Sequence, residues 1–345
     1  MKTLKSALAA SLFASIGATA SHAETILFNC FVPAQHHLCA KVLPEMGRRI
    51  SEATEGRVTI SIPPKSLAGA GSQYEGVTQQ VMDGAISFNG FLTNVASGLE
   101  YSILPFQGRE DAAAASAAQW DTYQKFFAGT AADMKGVVVL ALYAQSGADM
   151  WSMLDTPINS LDDLRSRKIW ALPGATANLM QATGSAVVSG PATQMLEIIS
   201  NRVVDGYVGV AWNSLNTYKL TSYTKSATIL DRKIFQSAFT FFVGEDKWAR
   251  ISPEDQQAIQ NALGRDFGIW ASGFAQEEYE KARQEYADTA VEVVPADPAF
   301  EQELIELARP ATEAWIEKVA ADGIDGAEVL KFYQDAYDKA LAELQ

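Results

Sequence analysis

Ser146 to Thr176 reads S-G-A-D-M-W-S-M-L-D-T-P-I-N-S-L-D-D-L-R-S-R-K-I-W-A-L-P-G-A-T. The pattern predicts a strand, a turn, a short helix and a second strand that ends in a Pro-Gly turn. Asp149 and Trp151 fall on the first strand. Trp170 closes the second, just before Ala171-Leu172-Pro173-Gly174. Ligands of α/β proteins bind beyond the carboxyl ends of strands. A carboxylate and large aromatics delivered to one crevice make a pocket suited to a small cation.

Working outward, the same alternation continues on both sides. Thr25 to Phe31 is a short apolar strand ended by Pro33. Leu38, Val42, Met46 and Ile50 recur every fourth position between His36 and Glu55, the period of an amphipathic helix, and Gly56 stops it. Strand follows at 57–62, helix at 73–82, and Asp83-Gly84 turns the chain into a strand at 85–88. Further on, the pattern predicts helix at 112–127, a buried strand at 137–144, helices at 175–183 and 192–201, and strands at 203–208 and 240–243. Strands alternating with helices at this spacing indicate a largely parallel sheet. Ser252-Pro253-Glu254-Asp255 combines a capping Ser, Pro at the first helical position and acids in the first turn. From there one helix of about 35 residues is expected, to near Ala287, longer than usual and suited to tying two lobes together. A strand at 291–294 and two helices around Gly323 complete the chain.

The 345 residues exceed one ordinary core, and a composition of 48% hydrophobic and 20% charged residues is that of a globular protein. Lys2 and Lys5, the apolar run Ala7 to Ala18 and Ser21-His22-Ala23 form a secretory signal peptide at 1–23, with cleavage after Ala23. Periplasmic export is the expectation. Losing the two lysines takes the net charge from −14 to about −16, which argues against nucleic acid and anionic membranes as partners. Cys30 and Cys39 permit a disulfide in an oxidising compartment, and two buried thiols are the alternative.

Catalysis finds little support. Past the leader only His36 and His37 remain, side by side at a helix start, and G-x-S-x-G is absent. Neither H-E-x-x-H, C-x-x-C, an EF-hand loop nor a phosphate-binding glycine motif occurs, so no metal or cofactor is expected. Asp162-Asp163 is a helix start favoured by the macrodipole. What the chain does offer is aromatic residues at strand ends, whose faces attract cations by ~0.5–2 kcal/mol each.

In order, Ser66-Leu67-Ala68-Gly69, Val81-Met82-Asp83-Gly84, Ile103-Leu104-Pro105-Phe106, Pro157 to Leu164 with Arg165 to Ile169, and Val203-Val204-Asp205-Gly206 resemble landmarks of one family. These are the extracytoplasmic solute-binding proteins of tripartite ATP-independent periplasmic (TRAP) transporters, the DctP-like family. The resemblance implies a two-lobed α/β fold with the ligand cleft between lobes joined by crossing strands and a long helix. It divides the chain into lobe I, 24–147 plus about 238–277, and lobe II, 148–237 plus about 278–345. It implies a monomeric binding protein, not an enzyme, that hands a small solute to membrane permease subunits.

Most members carry an arginine that pairs with the solute's carboxylate at the position of Trp170, and many a second near Asp149. The Asn that often follows the Val-Asp-Gly turn is also missing. A carboxylate would therefore meet an acid and an aromatic, and an ammonium is the physical complement. The expected solute is a cationic amine or alkanolamine, ethanolamine by name. Asp149 would neutralise it, Trp170, Phe31 and Tyr74 would wall it, Phe91, Trp212 and Phe239 would line the cleft, and Asn213 would bind a hydroxyl. The alternative keeps the fold and takes an aromatic, neutral, sulfonated or carboxylate solute, with Trp170 stacking on it.

Overall fold

The computed structural model describes residues 23–287 and 291–345. The leader at 1–23 lies, up to residue 22, outside the described residues. The strands are β1 (Glu24–Asn29), β2 (Val58–Ser61), β3 (Gly84–Phe88), β4 (Val137–Ala148), β5 (Met150–Ser152), β6 (Lys168–Ala171), β7 (Ala186–Ser189), β8 (Gly206–Val208), β9 (Ser226–Ile229), β10 (Phe235–Gly244) and β11 (Glu292–Pro295). They form a five-stranded sheet, β2-β1-β3-β10-β4, and a six-stranded sheet, β11-β9-β5-β8-β6-β7. Each sheet is the centre of one lobe.

Both sheets are mixed, although the alternation predicted mainly parallel pairing. β1 runs parallel to β2 and β3, whereas β10 is antiparallel to both β3 and β4. In the second sheet β5 is antiparallel to β8 and β9, while β6–β7, β6–β8 and β9–β11 are parallel. The antiparallel members are the strands that cross between lobes. β4 runs into β5 with only Asp149 between them, and the chain returns from β9 to β10 through 230–234. The two crossings lie side by side, because β10 pairs with β4 up to Phe235 opposite Ala148.

β4 and β10 are longer than their sequence signals. Every residue of β10 is buried, and so are all but two of β4, because the sheet is covered on both faces. Polar residues such as Gln145, Gln236 and Thr240 therefore sit inside, where they are hydrogen-bonded across the interior and give no alternation.

The expected 35-residue helix is two helices, Pro253–Ala262 and Gly264–Ala287. Leu263 leaves helical geometry and Gly264 takes φ +60°. The second helix packs on β4, on the helix Ala112–Phe126 of the first lobe and on the helix Trp212–Thr217 of the second. Gly268 allows that approach: a Cβ there would lie 2.4 Å from the Leu142 carbonyl oxygen.

The proposed lobe boundaries need one correction. The last helix, Gly326–Leu344, packs on Ala112–Phe126, which belongs to the first lobe. Tyr333 meets Tyr101 edge-on at 5.3 Å, and the Tyr337 hydroxyl accepts from the Asp111 N–H. Apolar faces of a C-terminal helix choose their partner by packing, and no local sequence signal names it.

Cys30 and Cys39 are joined as a disulfide with Cα atoms 5.9 Å apart. Among the described residues no helix is long and apolar enough to cross a membrane, and no group of three His, Cys, Asp or Glu is arranged to hold a metal.

Candidate functional site

The cleft between the lobes contains a chamber lined from both sides. The first lobe supplies four phenylalanines, on or just beyond three of its strands. Phe31 follows β1, Phe88 ends β3 with Phe91 just beyond it, and Phe239 lies on β10. Their rings form a box: Phe31 is stacked 6.4 Å from Phe239 and edge-on 6.3 Å from Phe91, and Phe88 is 5.3 Å from Phe91 and 5.8 Å from Phe239. Such pairs each contribute roughly 0.5–1.5 kcal/mol beyond burial and hold the box in shape.

The second lobe closes the chamber with Leu172 after β6, Ala192 and Thr193 after β7, and Val210, Ser214 and Tyr218 after β8. Ser214 and Tyr218 share a helix face by their i, i+4 spacing. Gln145 and Ser237, from the crossing strands, complete the lining. Phenyl rings thus dominate the first lobe's wall, with Gln145 and Ser237 beside them, the second lobe's wall mixes apolar side chains with the hydroxyls of Thr193, Ser214 and Tyr218, and the lining contains no ionised side chain.

Behind the chamber runs a polar chain. The Tyr143 hydroxyl is 2.6 Å from His37 Nε2, and His37 Nδ1 is 2.8 Å from Glu278 on the long helix. Burial pushes the Tyr143 phenol well up. Burial is the largest influence on the Glu278 carboxyl and raises it, but the bond and charge of His37, with Lys41 and Asn213, together leave it below its ordinary value. The neighbouring His36, fully buried, is held well below the usual imidazole range, first by desolvation and then by His37.

Phe31, Phe91 and Phe239 line the chamber. Asp149 does not line it. The Asp149 carboxylate is wholly buried at the crossing, where it accepts from Lys233 Nζ at 3.0 Å and from the Trp212 indole N–H at 3.2 Å. Burial raises its pKa, opposed first by the Lys233 ammonium. The expectation that Asp149 neutralises a ligand ammonium is thereby corrected, because Lys233 is already its counter-ion. Trp212 is spent on Asp149 and on an edge-on contact with Trp151 at 4.7 Å.

Tyr74 is also outside the chamber. Its hydroxyl donates to the Lys135 carbonyl oxygen, and its ring packs against the first lobe's second core cluster. Asn213 faces a separate recess beside Glu278, and its Oδ1 has no partner among the described residues. Trp170 is fully buried on β6, two residues before the chamber-lining Leu172, and its indole N–H is likewise without a partner. Arg165 and Arg167, the cations preceding β6, are committed to Asp162 and the Thr183 carbonyl, and to Ser152, Thr156 and the Pro157 carbonyl.

Sequence reasoning missed Phe88 as a site residue, although its position at a strand end was visible. It also missed Gln145, Ser214, Tyr218 and Ser237, whose only local signal was a polar residue in or next to an apolar run.

Residues 28–318 match the family described as bacterial extracellular solute-binding protein, family 7, or DctP. The chain is 34% identical over 313 residues to the outer membrane transporter protein TsaT of Comamonas testosteroni, covering 90% of this chain and 91% of that one. Its fold is similar to a TRAP periplasmic solute-binding protein of Bordetella bronchiseptica solved with (R)- and (S)-mandelate. That match has a TM-score of 0.85 and 26% identity, and covers 91% of this chain and 99% of the other. It is also similar to a marine-metagenome TRAP solute-binding protein specific for aromatic acid ligands, solved with metahydroxyphenylacetate. There the TM-score is 0.80 and the identity 23%, with 92% and 99% coverage. The two structural relatives are binding proteins, and the disulfide agrees with an oxidising compartment outside the cytoplasm. With its two mixed sheets, crossing strands and aromatic chamber, the chain belongs to family 7 of the bacterial extracellular solute-binding proteins, the extracytoplasmic solute-binding components of TRAP transporters.

Proposed function

We propose that the protein captures an aromatic organic acid in the interlobe chamber and delivers it to TRAP permease subunits. The observation that carries this reading is the box of Phe31, Phe88, Phe91 and Phe239 facing a mostly apolar wall with the hydroxyls of Thr193, Ser214 and Tyr218, and no ionised side chain in the lining. A ring fits such walls by burial and edge or offset stacking. The mandelate bound by the Bordetella bronchiseptica relative is a solute of the same kind.

The amine reading is less well supported, because Asp149 is paired with Lys233 and Tyr74 points away. Trp170, buried two residues before the chamber-lining Leu172 with its indole N–H unsatisfied, is proposed to shape the ring's end of the site and to donate to a solute oxygen. Solute capture is proposed to close the lobes about the two crossings at 148–150 and 230–234, as a hinge motion around the ligand. Export, with leader cleavage after Ala23, and action as a monomer complete the proposal.

A thermal-shift and calorimetric screen tests it, with mandelate, benzoate, phenylacetate and benzenesulfonate against ethanolamine and choline. A solute at 100 times its Kd stabilises by about 2.7 kcal/mol. Aromatic acids are expected to stabilise the protein and amines are not. Phe239→Ala is expected to weaken the acids by about ten- to a hundredfold, the loss of one buried ring contact and its stacking. Stabilisation by amines alone refutes the proposal.

A further inference from the structure

The aromatic chamber lacks a cation for the acid group, yet it does not end at its own walls. Phe31, Val32 and Thr193 line it on one side and a second, outer cavity on the other. This vestibule is bounded by the Cys30–Cys39 disulfide, by Pro33 and Ala34, and by Ile62-Pro63-Pro64-Lys65-Ser66 after β2. Lys65 is its charged member. It is exposed and has no ion-pair partner among the described residues.

The loop that presents Lys65 is fixed from both sides. Two prolines precede it. Beyond it, Asn29 at the end of β1 donates from Nδ2 to Ser66 Oγ at 3.0 Å and accepts from the Leu67 N–H at 3.0 Å, while Ser66 Oγ donates to the Ala68 carbonyl oxygen. Asn29 is itself held by Gln73 at 2.7 Å and is fully buried. A buried amide thus pins the chain just after an exposed ammonium at the mouth of the aromatic chamber, and two prolines stiffen it just before.

We propose that the vestibule is the acid half of the solute site: the ring occupies the phenylalanine box and the anionic group reaches out past Phe31 and Thr193 to Lys65. This rests on the aromatic-acid reading and adds to it an orientation, acid outward, and a solute class, aryl-substituted carboxylic or sulfonic acids. The arrangement replaces a cation inside the cleft with one at its entrance. An entrance cation also attracts anions from solution, in a protein whose net charge otherwise repels them.

The test is titration calorimetry on the mature protein with benzoate, phenylacetate and 3-phenylpropionate, each beside its neutral alcohol, for wild type, Lys65→Gln, Lys65→Glu and Phe239→Ala. Lys65→Gln is expected to weaken at least one acid by roughly two- to fivefold, the range of an exposed ion pair, with Lys65→Glu weakening it further and the alcohols unchanged. The acid with the largest effect gives the distance from ring to ammonium. Added salt is expected to weaken that acid in wild type and not in Lys65→Gln. If wild type binds the acids and Lys65→Gln binds them equally well, or loses acids and alcohols alike, the role of Lys65 is overturned while the aromatic reading stands. If Phe239→Ala binds every ligand as wild type does, or wild type binds no acid, the aromatic reading falls and this inference with it. Unchanged thermal unfolding of the Lys65 variants, expected for an exposed side chain, confirms that the comparison is made between folded proteins.

Discussion

Replacing Asp149 by alanine strands the Lys233 ammonium at the crossing between the lobes. The two groups are 3.0 Å apart, with side-chain exposures of 0% and 8%. At an effective dielectric constant of 20 their attraction is about 5–6 kcal/mol before desolvation is counted. Much of that only offsets the cost of burying two ions, so the pair adds little compared with two apolar groups of the same size. Removing one partner is different, because the other stays buried and uncompensated, and the expected loss is ~3–5 kcal/mol. Asp149→Ala also removes the acceptor of the Trp212 indole N–H. Asp149→Ala combined with Lys233→Met is therefore expected to recover most of the loss. Urea unfolding of wild type, both single variants and the double variant, followed by tryptophan fluorescence, gives the coupling directly. Aromatic-acid affinity of folded Asp149→Asn is expected to change far less than its stability. The reasoning is refuted if Asp149→Ala lies within ~1 kcal/mol of wild type, or if Asp149→Asn keeps its stability and loses an amine ligand.

Three further outcomes are expected. Gly268→Ala places a methyl group 2.4 Å from the Leu142 oxygen, which the backbone can relieve only by shifting the long helix, so a loss of ~1–3 kcal/mol in urea unfolding is expected. Reduction of Cys30–Cys39, or Cys30→Ser with Cys39→Ser, is expected to cost ~2–3 kcal/mol for a loop of this length, read as a difference between reducing and non-reducing unfolding curves. The His36 pKa is depressed in the folded protein, so its stabilising contribution is fully present above the unfolded value near 6.5 and is lost as pH falls below it. Each pH unit below ~6.5 is expected to remove up to ~1.4 kcal/mol until the folded value is reached, and His36→Gln is expected to flatten the dependence between pH 7 and 5.

Much of the local structure was legible because its causes lie within a turn or two of chain. Ser160 and Ser252 cap their helices by accepting from the Asp163 and Asp255 N–H groups, as Ser followed by acids implies. The period-four apolar residues from Leu38 to Ile50 are all buried. The family landmarks led to the two-lobed fold, and Phe31, Phe91 and Phe239 line the chamber. Strand β7 and strand β9 were not read at all, since Ala186-Val187-Val188-Ser189 and Ser226-Ala227-Thr228-Ile229 are too short to show a period.

By itself the sequence determined the alternation of strands and helices and the two-lobed family fold. Only the tertiary structure decided what Asp149 does. Its partner, Lys233, lies 84 residues away and reaches it because two antiparallel strands cross between the lobes side by side. The same holds for Tyr74, turned to the Lys135 carbonyl, and for the last helix, packed on the first lobe. A cap or an apolar period is fixed by neighbours a few residues away. The counter-ion of a buried charge, by contrast, is fixed by which strands the fold sets side by side, and no residue near it in the chain carries that information.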